Sequence, residues 1–192
     1  MTLFLILTPY GVFASLMLVA SAAISVFAAA AVSLAIVAFD AVRGRSLKML
    51  GAGGALLFAG IGLYLVLVDP SLLGSKVRLA VDTGMFIISG GSMLVRYPFS
   101  LQYALESVPP ETAAMPGFLR ANYMITAAWT AAALLMMLSN VALLYVPGLP
   151  IWTTLVIAFA ARNSAIYFTK WYPAYRMLKD SAPSAEVLPS VH

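Results

Sequence analysis

Three stretches of the chain, residues 1–39, 49–68 and 121–161, contain no Asp, Glu, Lys or Arg. A helix needs about 20 apolar residues to cross the roughly 30 Å hydrocarbon core of a bilayer. Each run is long enough, and no water-facing domain leaves so much contiguous chain uncharged. Over the whole sequence 62% of residues are hydrophobic and 9% are charged, against roughly 25% charged in soluble domains. The pattern predicts an all-α fold, a polytopic membrane helix bundle. Inside lipid every backbone N–H and C=O must be satisfied within the segment, which long apolar helices do.

Punctuation divides the runs into five transmembrane helices at about 15–39, 50–68, 78–95, 121–146 and 151–171. Pro- and Gly-rich turns mark "VDPSLLGSK" and "YVPGLPIW", as expected where helices end. The second turn is short, so the spans on either side of it should be antiparallel neighbours. The lead "MTLFLILTPYGVF" holds Pro9 and Gly11, which should break it into a half-helix or interfacial segment; six spans are the alternative count. The lead has no basic n-region and its apolar run exceeds a signal-peptide core, so it is expected to be retained. Residues 1–179 form one transmembrane domain in this reading, and 180–192 a flexible tail.

Lys and Arg concentrate on cytoplasmic loops. Arg43, Arg45, Lys48, Arg96, Arg120, Lys170, Arg176 and Lys179 fall on one side of the five-span arrangement, and only Lys76 and Arg78 on the other. The five-span count therefore places the N-terminus outside and the C-terminus in the cytoplasm. Trp152, Trp171, Tyr97, Tyr145 and Tyr172 lie near span ends, where amphipathic rings favour the interface; Trp129 should lie deeper. The formal charge of +4 is explained by these flanking residues and does not imply nucleic acid.

The chain has no cysteine, and its one histidine is His192. Disulfides, thiolate metal sites and cysteine nucleophiles are excluded, and a histidine-based metal or haem site has no ligands. No Ser-His-Asp set, HExxH or P-loop occurs. Gly51, Gly53 and Gly54 imitate a dinucleotide loop, but a span surrounds them and no acidic residue follows at the required distance. These glycines, with Gly60, Gly62 and the Ala/Ser-rich first span, fit close helix approach instead. No cofactor is expected.

Ionisable groups inside a span are costly and turn toward a bundle interior or a wet cavity. Arg162 lies about 17 Å below the outer end of its span and Asp82 about 6 Å below that of its own, at about 1.5 Å per residue. With Asn140 and Asn163 they form the intramembrane polar set. Two readings are open: a proton or anion path through Asp82, Asn140 and Arg162, or a structural ion pair with hydrogen bonds joining three spans.

The segment 96–120, "RYPFSLQYALESVPPETAAMPGFLR", is the least hydrophobic long interior stretch. Pro98 suits a helix start. Leu101, Ala104, Leu105 and Val108 recur at helical spacing with Gln102 and Glu106 on the other face, so 98–108 reads as a short interfacial helix lying on the membrane. Pro109 and Pro110 stop it. Glu106 and Glu111 have no nucleophile, metal ligand or phosphate cradle nearby to make them an acid–base pair. Arg96, Tyr97, Gln102, Glu106, Glu111 and Arg120 are the candidate contacts for a partner or lipid.

The segments "FDAVRGRSLKML", "KVRLAVDTGMFIISGGSML", "RYPFSLQYALES" and "FLRANYMITAAWTAAALLMMLSNVALLYVPGLPIW" resemble, in that order, the intracellular septation protein A family, the YciB-type inner-membrane proteins of Gram-negative bacteria. Asn122, Trp129, Asn140, Pro150 and Trp152 fall at the family's Asn, Trp and Pro positions. The resemblance covers about residues 30–172. The alanine-rich first span, the "PPE" bend and the sparsely charged tail depart from it. It implies a five-span bacterial inner-membrane protein engaged in envelope upkeep and cell division through other membrane proteins, with no catalytic residues to carry over. The expected function is accordingly non-enzymatic partner binding, with self-association left open. The alternatives are a small transporter or channel, and a lipid-binding protein or membrane-embedded enzyme.

Overall fold

A computed structural model describes the backbone over residues 2–181 and side chains over residues 7–177. The described residues form only helices and their connections, in the order α1 (Thr2–Leu16), α2 (Ala22–Val42), α3 (Met49–Leu67), α4 (Gly74–Leu94), α5 (Phe99–Leu105), α6 (Pro110–Ala113), α7 (Pro116–Tyr145) and α8 (Ile151–Ser181). α2, α3, α4, α7 and residues 151–177 of α8 are long and apolar enough to cross a membrane. The chain is a multi-pass membrane protein. The tail expected from residue 180 lies, beyond Ser181, outside the described residues; α8 itself runs past the predicted end at 171.

The N-terminal lead departs from expectation. Pro9 and Gly11 do not break it: α1 is one helix with Pro9 inside. The break comes later. A turn closed by Leu18 N–H to Ser15 O, Val19 N–H to Leu16 O and Ala20 N–H to Leu16 O ends α1, and Ser21 caps α2 by accepting from Ile24 N–H at 3.3 Å. The first span thus begins at Ala22 rather than near 15. A short link makes α1 and α2 antiparallel neighbours. Tyr10 and Phe13 pack against Phe58 of α3 in tilted pairs with ring centroids 5.2 and 5.6 Å apart. The Arg78 guanidinium, near the start of α4, donates to Met17 O at 3.1 Å. α1 therefore doubles back, directing Thr2 toward the end of the bundle that holds the 43–48 and 95–115 connectors.

α7 is the central element, packed on α4 along one side and α8 along the other, while α3 joins α2 to α4. The buried centre is built from Phe58, Leu50, Phe99, Trp129 and Met136. Trp129 is buried inside the bundle, donating its indole N–H to Thr169 Oγ1 at 3.0 Å. Two glycines set the closest helix approaches. A Cβ on Gly62 would come within 2.9 Å of the Phe27 ring, and one on Gly84 would overlap the Leu57 side chain. With lipid outside, packing of this kind rather than water exclusion holds the helices together.

Candidate functional site

Two polar clusters stand out in the bundle. The first is at the connector end. Phe99, Ser100, Leu101, Gln102 and Tyr103 of α5 are consecutively buried, so the helix is docked into the end of the bundle. Local bonding explains why. The first turn of α3 has orphan N–H groups, and Lys48 at its N-cap offers no side-chain acceptor. Gln102 Oε1 supplies one, accepting from Met49 N–H at 2.7 Å. Ser92 Oγ accepts from Phe99 N–H at 3.0 Å. Ser100 Oγ donates to Asn122 O at 2.8 Å and lies 3.0 Å from Thr126 Oγ1.

Charge completes the lock. Lys48, its side chain only 2% exposed, lies 3.0 Å from Asp40 Oδ2 and 2.8 Å from Glu106 Oε2. Its ammonium also sits 5.3 Å from the centre of the Tyr103 ring. Arg45 reaches Asp40 at 3.5 Å, and Ser46 Oγ donates to Glu106 Oε1 at 3.2 Å. Burial pushes the Tyr103 phenol up, so it stays neutral beside Lys48. The expectation that Gln102 and Glu106 face away from the bundle is corrected: Gln102 is buried and Glu106 is bound to Lys48. Arg96, Tyr97, Glu111 and Arg120 are exposed. Sequence reasoning missed the pairing of Asp40 with Lys48, which read there only as a topology marker. The one available signal was a carboxylate closing an uncharged run eight positions before a lysine that opens the next.

The second cluster is intramembrane. Asp82 of α4, Asn140 of α7 and Arg162 of α8 converge with Arg78, Tyr10 and Thr154 around a partly open cavity of about 70 Å³. Asn140 Nδ2 donates to Asp82 Oδ2 at 2.8 Å and to Met136 O at 3.2 Å, which fixes the amide's orientation. Its Oδ1 and the Tyr10 hydroxyl are buried without a hydrogen-bond partner. Arg162 and Asp82 attract one another, but among the described residues no ion pair shorter than 4.0 Å joins them. A buried water needs roughly 10–15 Å³ and about 2–4 polar partners, and this cavity meets both conditions. Apolar side chains, among them Phe13, Val81, Met85 and Met136, line the rest of it.

Asn163 does not join this cluster. It is exposed on the outer side of α8, with Nδ2 donating to Phe159 O at 2.7 Å within its own helix. Among the described residues no group of three His, Asp or Glu side chains comes together. The chain matches no known family model, no curated protein and no solved structure, so its function is read from these two clusters and the faces around them.

Proposed function

We propose that this chain is a non-enzymatic membrane protein that acts by binding other membrane proteins at the connector end of its bundle. The observation that carries the proposal is Arg96. Among the described residues it is the one non-glycine with a positive φ, 58°. It follows the last turn of α4, with Arg96 N–H bonded to Met93 O and Tyr97 N–H to Ser92 O. That position ordinarily takes glycine, which enters the left-handed region without strain. Strained residues held in place by rigid surroundings concentrate at functional sites. Arg96 is exposed beside Tyr97, and the α5 lock behind it gives the surface a fixed shape, which lowers the ordering cost of binding. Glu111 and Arg120 are exposed in the following connector and at the start of α7.

The basic residues gathered at this end support a cytoplasmic orientation for it. The resemblance to intracellular septation protein A supports the bacterial inner membrane as its location and envelope maintenance and division as its setting. The test is purification in mild detergent. A co-purifying membrane protein should be lost from Arg96→Gly while that variant remains folded, and retention at the unchanged level would contradict the assignment.

A second reading, a small transporter, is favoured by the cavity that Asp82, Asn140 and Arg162 share. Under it Arg162→Ala abolishes flux in proteoliposomes with insertion intact; unchanged flux would remove it.

A further inference from the structure

α8 leans mainly on α7, and its outer side carries a seam of exposed residues three or four positions apart: Trp152, Val156, Phe159, Asn163 and Tyr167. Four of these belong in lipid. Asn163 does not, and its depth makes the discrepancy sharp. Trp152 and Trp171, both exposed, lie about 28 Å apart along the helix at about 1.5 Å per residue, close to the roughly 30 Å of a hydrocarbon core. They mark the two interfaces, as tryptophans do. Asn163 then lies about 16 Å from one and about 12 Å from the other, near the midplane. Its bond to Phe159 O uses one N–H, and among the described residues Oδ1 and the second N–H have no partner. A carboxamide turned into hydrocarbon with an acceptor and a donor unmet is costly, and in membranes such groups are satisfied across helix interfaces.

We propose that the outer face of α8 is a self-association surface whose occupant is α8 of a second copy of this chain, registered by an Asn163–Asn163 hydrogen-bond pair. Copies inserted with one topology run parallel, so Asn163 meets its counterpart at equal depth. A carboxamide both donates and accepts, which makes it complementary to itself across a two-fold axis, where one patch meets the same patch. The steps of four, three and four from Trp152 to Asn163 follow the alternation of left-handed helix pairs, and a single Asn in such a seam fixes the register. Acyl chains would cover the apolar neighbours equally well but offer the amide nothing. This contact is separate from the Arg96 surface and stands whether or not another protein binds there.

The chain has no cysteine, so single cysteines report cleanly. In native membranes, Val156→Cys and Phe159→Cys should form oxidatively linked dimers of the chain. Leu63→Cys, equally exposed but on α3, should not. Adding Asn163→Leu should weaken the self-association about tenfold, the effect of one interhelical amide pair, whereas Asn163→Gln should preserve it. Both variants face lipid, and an unchanged far-ultraviolet circular dichroism spectrum in detergent verifies their fold. Absence of cross-linking at Val156 and Phe159, cross-links indifferent to Asn163→Leu, or adducts whose mass is that of another protein would each overturn the proposal. None of these outcomes bears on whether a partner is lost from Arg96→Gly.

Discussion

Replacing Lys48 with methionine would remove the cation that ties α5 to the α2–α3 turn while keeping most of the apolar stem. The ammonium lies 3.0 Å from Asp40 and 2.8 Å from Glu106, with side-chain exposures of 2% for Lys48, 11% for Asp40 and 26% for Glu106. At an effective dielectric of about 20, each contact is worth roughly 5–6 kcal/mol of gross attraction, most of it offset by the cost of taking Lys48 out of water. Removing one member of a buried pair typically costs about 3–5 kcal/mol, because the other charge is left uncompensated. Here the abandoned groups have some recourse. Asp40 keeps Arg45 at 3.5 Å, and Glu106 can turn toward solvent. The expected loss is therefore about 2–4 kcal/mol. Denaturant unfolding of the purified protein in mild detergent measures it. Trypsin cutting at Arg96 and Arg120 should accelerate as the connector loosens. In a double-mutant cycle with Glu106→Gln the pair should show coupling of about 1–3 kcal/mol. A loss below about 0.5 kcal/mol, or strictly additive single changes, would refute the clamp.

Gly84→Ala should destabilise by about 1–3 kcal/mol, since overpacking forces neighbours to move and the new Cβ meets Leu57; the same unfolding assay should show partial relief on adding Leu57→Ala. Arg96→Gly should raise stability by about 1 kcal/mol by relieving the left-handed backbone, measured as a shift of the unfolding midpoint. Asn140→Leu should cost about 1–3 kcal/mol, the desolvation penalty of a buried group left without its partner, because Asp82 loses the bond at 2.8 Å; this is read as lowered thermal stability. Ser100→Ala should cost about 1–2 kcal/mol through its lost bonds to α7, and should raise protease cleavage in the 96–115 connector.

The charge-free runs made the membrane bundle legible because no other fold tolerates them, and Asp82, Asn140 and Arg162 were legible as a group because ionisable residues are costly in lipid. What was not legible has identifiable causes. The turn at 17–21 contains no proline, glycine or charge, so hydropathy runs straight through it and hides that α1 folds back. Gln102 and Glu106 fit an outward-facing pattern along α5, but their partners, Met49 N–H and Lys48, are on other helices, which periodicity along one helix does not register. Arg162 and Asn163 are adjacent and look like one motif. A helix turns about 100° per residue, which sends Arg162 to the cavity and Asn163 to the lipid.

The central claim is that the connector end of the bundle holds another membrane protein through the surface around Arg96. Its most direct test is the mass of the gently solubilised complex, compared between the parent chain and Arg96→Gly. The account predicts a second membrane protein in stoichiometric amount with the parent and its loss from the more stable Arg96→Gly. A parent chain that purifies with lipid and copies of itself alone would contradict it.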